Sequence, residues 1–124
     1  MENGKSFKDN ALIKARFASE LTLHHYPTIA DDSGICIDNL NGAPGIFSAR
    51  WAHENNYSFA FEKIKQHLNE KGLNLNGQHA KFVCVLALID KNKNEFIFEG
   101  ILKGKIVFPP RGKNGFGYDP IFIP

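Results

Sequence analysis

The sequence is short of the features that mark a membrane, secreted or nucleic-acid-binding protein. Its formal net charge is only +2, which gives no overall basic field for nucleic acid. The longest apolar run, Phe82 to Ile89, has the length of a strand and is far too short to cross a bilayer. No apolar signal region follows the charged N-terminus. We therefore expect a cytoplasmic protein with no membrane partner and no nucleic-acid polymer as a partner.

Cysteine and histidine give little evidence of chemistry. The two cysteines, Cys36 and Cys84, stand in apolar runs and lack the spacing of a metal or redox motif, so we expect buried free thiols. None of the histidines has a partner at zinc-ligand spacing. A Gly-x-Ser-x-Gly nucleophile motif is also missing. The sequence thus offers no support for a zinc site or a serine hydrolase.

What is present describes an ordinary globular chain. Of its 124 residues, 43% are hydrophobic and 23% are charged, which are values near the globular average. This length gives room for one domain with one core. We therefore expect residues 1–124 to form a single domain.

Two helices are predicted. The run that starts at Ser6 resembles a capping box and opens a helix that extends to about His24, before Pro27 prevents continuation. Its apolar stripe is expected to be centred on Ile13, Phe17 and Leu21, widened by Phe7, Ala11, Ala15 and Ala18. A second helix is predicted over residues 58–71, with Gly72 at its C-terminal cap.

Strands occupy much of the remaining sequence. They are predicted at residues 29–30, 35–37, 81–90 and 95–108. The run 81–90 is apolar on both faces, which is typical of a central strand, and residues 91–94 form a hairpin loop after it. Gly100 and Gly104 suggest bends or bulges. The order of elements predicts a mixed α/β or α+β domain rather than a regular βαβ array.

The run Asp31-Asp32-Ser33-Gly34 has two interpretations. Two adjacent carboxylates at a strand end cannot both enter an apolar core. They suit a hard cation such as Mg²⁺, beside which a carboxylate can take a proton from an attacking water. Asp-Ser-Gly is also good chemistry for a solvated turn. From these residues alone, the turn is the commoner outcome.

The glycine-rich segment 112–120 also has two interpretations. Its glycines allow close backbone approach to a ligand, Phe116 and Tyr118 offer faces for stacking a base, and Asp119 can accept hydrogen bonds from base N–H groups. The alternative is a glycine loop whose aromatic rings lie in the core. Spacing favours neither interpretation, and the glycines match neither a Walker loop nor a Rossmann fingerprint.

Two basic residues are candidates for phosphate contacts. Asn10 and Lys14 are four residues apart on the first helix and therefore share a face. From the edge of the apolar stripe, the Lys14 ammonium can reach a polyphosphate or simply extend into solvent. Arg50 can hold a phosphate or pair with a carboxylate. For both residues, the structural role is the commoner one.

Together, these segments resemble the inosine triphosphate pyrophosphatase family, whose members hydrolyse non-canonical purine nucleotides. The resemblance rests on five segments that occur in the family's order and at similar spacing. They are Asn10–Ala15, Ala30–Gly34, Gly42–Arg50, Phe82–Val85 and Gly115–Phe122.

The resemblance implies Mg²⁺-dependent hydrolysis of ITP, dITP and XTP to the monophosphate and pyrophosphate. It implies that Asp32 is the general base and a magnesium ligand, and that Glu2 is the family's other magnesium carboxylate, with Asp31 a further candidate ligand. The residues implied to contact the substrate are Lys14, Ser33, Arg50, Phe116, Gly117, Tyr118 and Asp119.

The resemblance also implies a two-lobed fold around a long mixed sheet, and homodimers. The family has a Ser/Thr-Gly-Asn-x-x-Lys loop before the first helix, and a lysine and a Ser-His-Arg motif after the Phe116 loop. This sequence has neither, so we expect a domain truncated at both ends. An inactive or nucleotide-binding remnant is therefore the alternative to an active enzyme. A pyrophosphatase of modified pyrimidine nucleotides is a third interpretation, which the purine loop at Phe116 disfavours.

Overall fold

The computed structural model describes residues 6–52, 56–112 and 117–124. Its helices and strands are, in chain order, α1 Phe7–Leu21, β1 Thr28–Ile37, α2 Ser48–Trp51, α3 Tyr57–Glu70, β2 His79–Ile89, β3 Glu95–Ile106 and β4 Phe122–Ile123. Short 3₁₀ turns lie at Asp38–Leu40, Gly45–Phe47 and Asp119–Ile121. The predicted mixed α/β class is confirmed. Within the described ranges, no helix is both long enough and apolar enough to span a membrane.

The four strands form one sheet in the order β1-β2-β3-β4. The predicted hairpin loop joins β2 to β3, and the Asp90 carboxylate stabilises it by accepting from the backbone N–H groups of Asn92 and Asn94 at 2.9 and 2.8 Å. The backbone and side-chain amides of Asn94 lower the pKa of Asp90. β4 runs antiparallel to β3.

The chain divides into two compact units. Unit 1 contains the described residues up to Ser33 and the segment Val83–Ile101. Unit 2 contains the described residues of Gly34–Phe82 and Leu102–Pro124. Each of the three long strands contributes residues to both units. The single domain expected over residues 1–124 stays a prediction.

Unit 2 is organised around one hydrophobic core. Its fully buried members are Ile35, Ile37, Ala60, Ile64, Leu68, Ile106 and Ile121. α3 begins after Asn56, whose side chain accepts from Ser58 N at 3.1 Å, and it ends one residue before the predicted Lys71. Its predicted apolar stripe is confirmed, because Phe61, Ile64 and Leu68 are all buried.

In unit 1, α1 starts as predicted, with Ser6 Oγ accepting from Asp9 N at 3.1 Å. The helix ends at Leu21, short of the predicted His24, because Leu23 and His24 adopt left-handed backbone conformations. The predicted stripe was partly wrong. The buried positions are Asn10, Ala11, Leu12, Ala15 and Ser19, whereas Phe17 and Leu21 are exposed. Ala11 and Ala15 of the predicted stripe are buried, but the large side chains Phe17 and Leu21 do not lie on the buried face.

α1 is also connected to β3, the strand after the hairpin loop, by an ion pair. The Arg16 guanidinium donates two hydrogen bonds to the Glu95 carboxylate, at 2.7 and 2.9 Å. These bonds lower the pKa of Glu95 and raise that of Arg16. They join the middle of α1 to the first residue of β3.

β1 continues through the acidic run, where the sequence favoured a turn between two short strands. Asp31 to Gly34 lie within one ten-residue strand. The chain stays extended because β1 is paired with β2 in the sheet. Turn propensity was therefore overridden by strand pairing.

β2 is an interior strand, as predicted, but it is not buried on both faces throughout. In unit 1 its burial alternates, so that Val83, Val85 and Ala87 are buried while Cys84 and Leu86 are exposed. The expectation of two buried thiols is therefore wrong for Cys84 and confirmed for Cys36.

Candidate functional site

Asp32 is the buried member of the acidic run. Only 7% of the residue is exposed. Asn10 Nδ2 donates to its Oδ2 at 3.3 Å, and Lys14 Nζ lies 3.8 Å from its Oδ1. One turn of α1 separates the two partners, so the face predicted from their spacing is the face that meets Asp32.

Burial of the Asp32 carboxylate has a free-energy cost that its partners must offset. An ionised carboxylate loses much hydration free energy on burial, and it needs a cation and hydrogen bonds to compensate. Asn10 is itself 1% exposed, whereas the Lys14 side chain keeps 31% of its surface. The Asn10 amide therefore fixes the carboxylate, while the Lys14 ammonium lies where an anion from solvent can also reach it.

Asp31 and Ser33 lie on the other face of β1. Side chains alternate along a strand, and both residues are exposed where Asp32 is buried. Ser33 Oγ donates to Asp31 Oδ2 at 3.3 Å. The two adjacent carboxylates therefore do not form one cluster, which argues against Asp31 as a direct ligand of an ion held by Asp32.

The described residues offer a sparse donor set for a metal. They contain no group of three or more His, Cys, Asp or Glu side chains placed to hold an ion. Glu2, the other predicted ligand, lies outside the described residues. One buried carboxylate fits Mg²⁺ better than Zn²⁺ or Ca²⁺, because Mg²⁺ keeps several waters and takes other oxygens from substrate phosphates.

The ring of Tyr118 distinguishes the two interpretations of the glycine loop, in which the aromatic rings either stack on a base or lie in the core. The residue is 4% exposed, and its ring packs edge-on against Tyr57 and Phe61, with centroid distances of 5.2 and 6.0 Å. Its hydroxyl donates to the Ser48 carbonyl at 2.6 Å. Burial, reinforced by Tyr57, raises the pKa of Tyr118 well above its usual range, so the hydroxyl stays a donor. A side chain packed in this way is not a stacking platform.

The residues beside Tyr118 are placed differently. Gly117 has φ = 58°, a left-handed conformation that favours glycine and turns the chain inward to Tyr118. Asp119 starts a 3₁₀ turn and is exposed, so its carboxylate is available to a ligand. Phe116, the second predicted stacking ring, lies outside the described residues.

Arg50 lies on the short helix α2 and is exposed. Its guanidinium carbon is 5.5 Å from the centre of the Phe47 ring, which is cation–π geometry. The predicted residues thus fall into two sets. Lys14, Asp31, Asp32 and Ser33 belong to unit 1, and Arg50, Gly117, Tyr118 and Asp119 belong to unit 2.

Comparison with known proteins decides the family. A model of the Ham1 family matches residues 1–124. The chain belongs to the Ham1 family. A dITP/XTP pyrophosphatase of Zymomonas mobilis is 47% identical over 99% of this chain, and one of Rhodospirillum centenum is 45% identical over 99%. The predicted family is therefore confirmed.

Solved Ham1 structures agree with the fold. A HAM1 protein from Coxiella burnetii matches 98% of this chain with a TM-score of 0.86 and 43% identity. A nucleoside-triphosphatase / dITP/XTP pyrophosphatase from Mycobacterium abscessus matches all of it with a TM-score of 0.81 and 40% identity. The chain spans 58–60% of the first two relatives and 61% of each solved chain.

Sequence reasoning missed one residue of this Ham1 chain. Ser48 is 3% exposed and bonds to several segments of unit 2. Nothing in its local sequence distinguishes it from an ordinary helix-starting serine.

Proposed function

We propose that this chain hydrolyses the non-canonical purine nucleoside triphosphates ITP, dITP and XTP to the monophosphate and pyrophosphate, with Mg²⁺, as part of cytoplasmic nucleotide-pool cleansing. The observation that carries the proposal is the buried Asp32 carboxylate held by Asn10 and Lys14 in a Ham1 chain. The names of the relatives, dITP/XTP pyrophosphatase, support the substrate class.

The chemistry we assign to unit 1 is proton transfer and phosphate binding. Asp32 accepts a proton from the attacking water, and Asn10 fixes the orientation of its carboxylate. Lys14 binds phosphate oxygens and stabilises the charge that develops on them. Asp32 and the second predicted carboxylate, Glu2, would hold Mg²⁺. When bound, the ion neutralises phosphate charge.

The chemistry we assign to unit 2 is recognition of the base. The exposed Asp119 carboxylate is an acceptor, and it matches the N–H at position 1 of a 6-keto purine. Adenine presents an acceptor there and a donor at position 6, so its polar groups would be left unpaired in a site built for a keto purine. Arg50 is assigned to the phosphate and sugar region, and Phe116 to the base. Ser33, which belongs to unit 1, is assigned a substrate contact on the family resemblance alone.

Pyrophosphate release from dITP, XTP and dATP tests this proposal. We expect release from dITP and XTP but little from dATP, and loss of activity with EDTA that added Mg²⁺ restores. Asp32→Asn should lower kcat about 100-fold or more, because general-base catalysis contributes about that much. Glu99→Gln, which removes an exposed acid of unit 1 on β3, is the matched control and should leave the rate unchanged.

Two outcomes decide between the alternatives. Binding of dITP without pyrophosphate release would favour a nucleotide-binding remnant. Undiminished activity of Asp32→Asn would refute its proposed role. Asp31→Asn completes the series: on the strand geometry, we expect it to reduce activity far less than Asp32→Asn.

A further inference from the structure

Ser48 joins three segments of unit 2 through buried hydrogen bonds. Its hydroxyl accepts from Ile35 N at 3.0 Å and donates to the Gly45 carbonyl at 2.6 Å. Its own carbonyl accepts from the Tyr118 hydroxyl at 2.6 Å. Ser48 thereby links β1, the start of α2 and the turn at Tyr118.

The hydrogen bond from Ile35 N to Ser48 Oγ takes the place of a bond to a neighbouring strand. Among the described strands, β1 is at the edge of the sheet, so no described strand pairs with its outer side. The chain after β1 covers this edge: Ile37 N donates to the Ala43 carbonyl at 3.1 Å, and Ile35 N donates to Ser48 Oγ. Ser48 is therefore bonded directly to the edge strand β1.

Two of the side chains that we assign to the nucleotide in unit 2, Arg50 and Asp119, lie close to Ser48 in sequence or through one hydrogen bond. Arg50 is two residues after Ser48, in a helix of only four residues. Asp119 follows Tyr118 directly, and the Tyr118 hydroxyl is bonded to the Ser48 carbonyl. Movement of Ser48 would displace both.

We propose that Ser48 and Tyr118 are positioning residues, which hold Arg50 and Asp119 in place for a purine nucleotide without touching it. The proposal rests on the proposed function. It gives Tyr118 a role different from stacking on the base. The ring supplies packing against Tyr57 and Phe61, and the hydroxyl transmits the position of Ser48 to the turn that carries Asp119.

The first test needs no nucleotide. In Ser48→Ala, Ile35 N loses its acceptor, so NMR amide exchange at Ile35 should accelerate at least tenfold. The Ile37 amide, bonded to Ala43 on the same edge, is an internal control and should change little. Equal acceleration at both amides would indicate general loosening of the β1 edge. No acceleration at Ile35 would show that the bond to Ser48 does not protect its amide. Either result overturns the proposal.

The second test separates positioning from chemistry. Tyr118→Phe keeps the ring and removes only the hydroxyl. It should raise KM for dITP about fivefold, the worth of one hydrogen bond, and reduce selectivity over dATP, with kcat within about twofold. Tyr57→Phe, the ring that packs against Tyr118, is the matched control and should alter neither constant.

Equal effects of the two substitutions, or a fall in kcat at unchanged KM, would overturn the proposal. If the unsubstituted chain neither hydrolyses nor binds dITP, the proposed function fails, and the role of Ser48 toward a nucleotide fails with it. The exchange experiment then still decides whether Ser48 and β1 are coupled. The two failures are thus distinguishable.

Discussion

Asp32 keeps its carboxylate almost out of solvent while an amide and an ammonium face it. In this arrangement the amide of Asn10 is the less replaceable partner, because it is buried and neutral. Replacing it with an acceptor would set two carboxylates about a hydrogen-bond length apart. Such pairs cannot both ionise without a large free-energy cost.

We therefore expect Asn10→Asp to destabilise the fold at neutral pH by about 1–3 kcal/mol. Repulsion raises the pKa of one carboxyl above its value in the unfolded chain, so the destabilisation is full above that raised pKa and shrinks as the pH falls through it. Urea unfolding at pH 7 and pH 5 measures the difference. Asn74→Asp, at an exposed position between α3 and β2, is the control and should show no such recovery in acid.

For single residues, the sequence predicted that Asn10 and Lys14 share a face of α1, but not that this face meets Asp32. The four-residue spacing of Asn10 and Lys14 correctly placed them on one face, since helix geometry is local. It could not show that Asp32 is buried and Asp31 exposed, because that depends on β1 continuing through the acidic run. The same holds for Tyr118, where a glycine loop with an inward ring and one with an outward ring have the same composition.

The pairing of β4 with β3 depends on Gly104. A Cβ at Gly104 would collide with the Ile123 carbonyl oxygen and with the Phe122 ring. The sequence suggested a bend at this glycine, yet β3 runs through it, and the glycine admits the neighbouring strand instead. Close approach between strands far apart in sequence cannot be read from local pattern.

We expect Gly104→Ala to destabilise unit 2 by about 1–3 kcal/mol, because overpacking of a tight contact costs that much. Gly100→Ala, on the same strand, would place its Cβ in open space and should be neutral or slightly stabilising. Thermal unfolding of both variants measures the contrast. Equal thermal-unfolding midpoints for the two variants would show that β4 can shift away from the added methyl group without loss of stability.

At the scale of the whole molecule, several large apolar side chains of the described residues are exposed. On β2 and β3, Leu86, Phe96 and Phe98 are 41%, 44% and 57% exposed. Phe96 and Phe98 are two residues apart on β3 and therefore share a face of the strand, and contiguous exposed apolar side chains are typical of association surfaces. The homodimer that we predicted from the family stays a prediction, and this surface is where we expect copies of the chain to associate.

We expect sedimentation velocity to show self-association that increases with protein concentration. The double substitution Phe96→Thr/Phe98→Thr should weaken association at least tenfold, because burying one phenylalanine contributes about 1.5–3 kcal/mol. Leu21→Gln, at a position 70% exposed at the end of α1, is the control and should leave association unchanged. A chain that stays monomeric at all concentrations would contradict both expectations.

The two cysteines give each unit a reporter of its own. Cys84 belongs to unit 1 and is exposed, whereas Cys36 belongs to unit 2 and is buried, and burial raises the pKa of its thiol. An alkylating reagent should therefore modify the folded chain once, at Cys84. A second modification requires unit 2 to open, because only the accessible thiolate reacts. The mass of the labelled chain over time thus records how often one unit opens, without a probe having to be introduced.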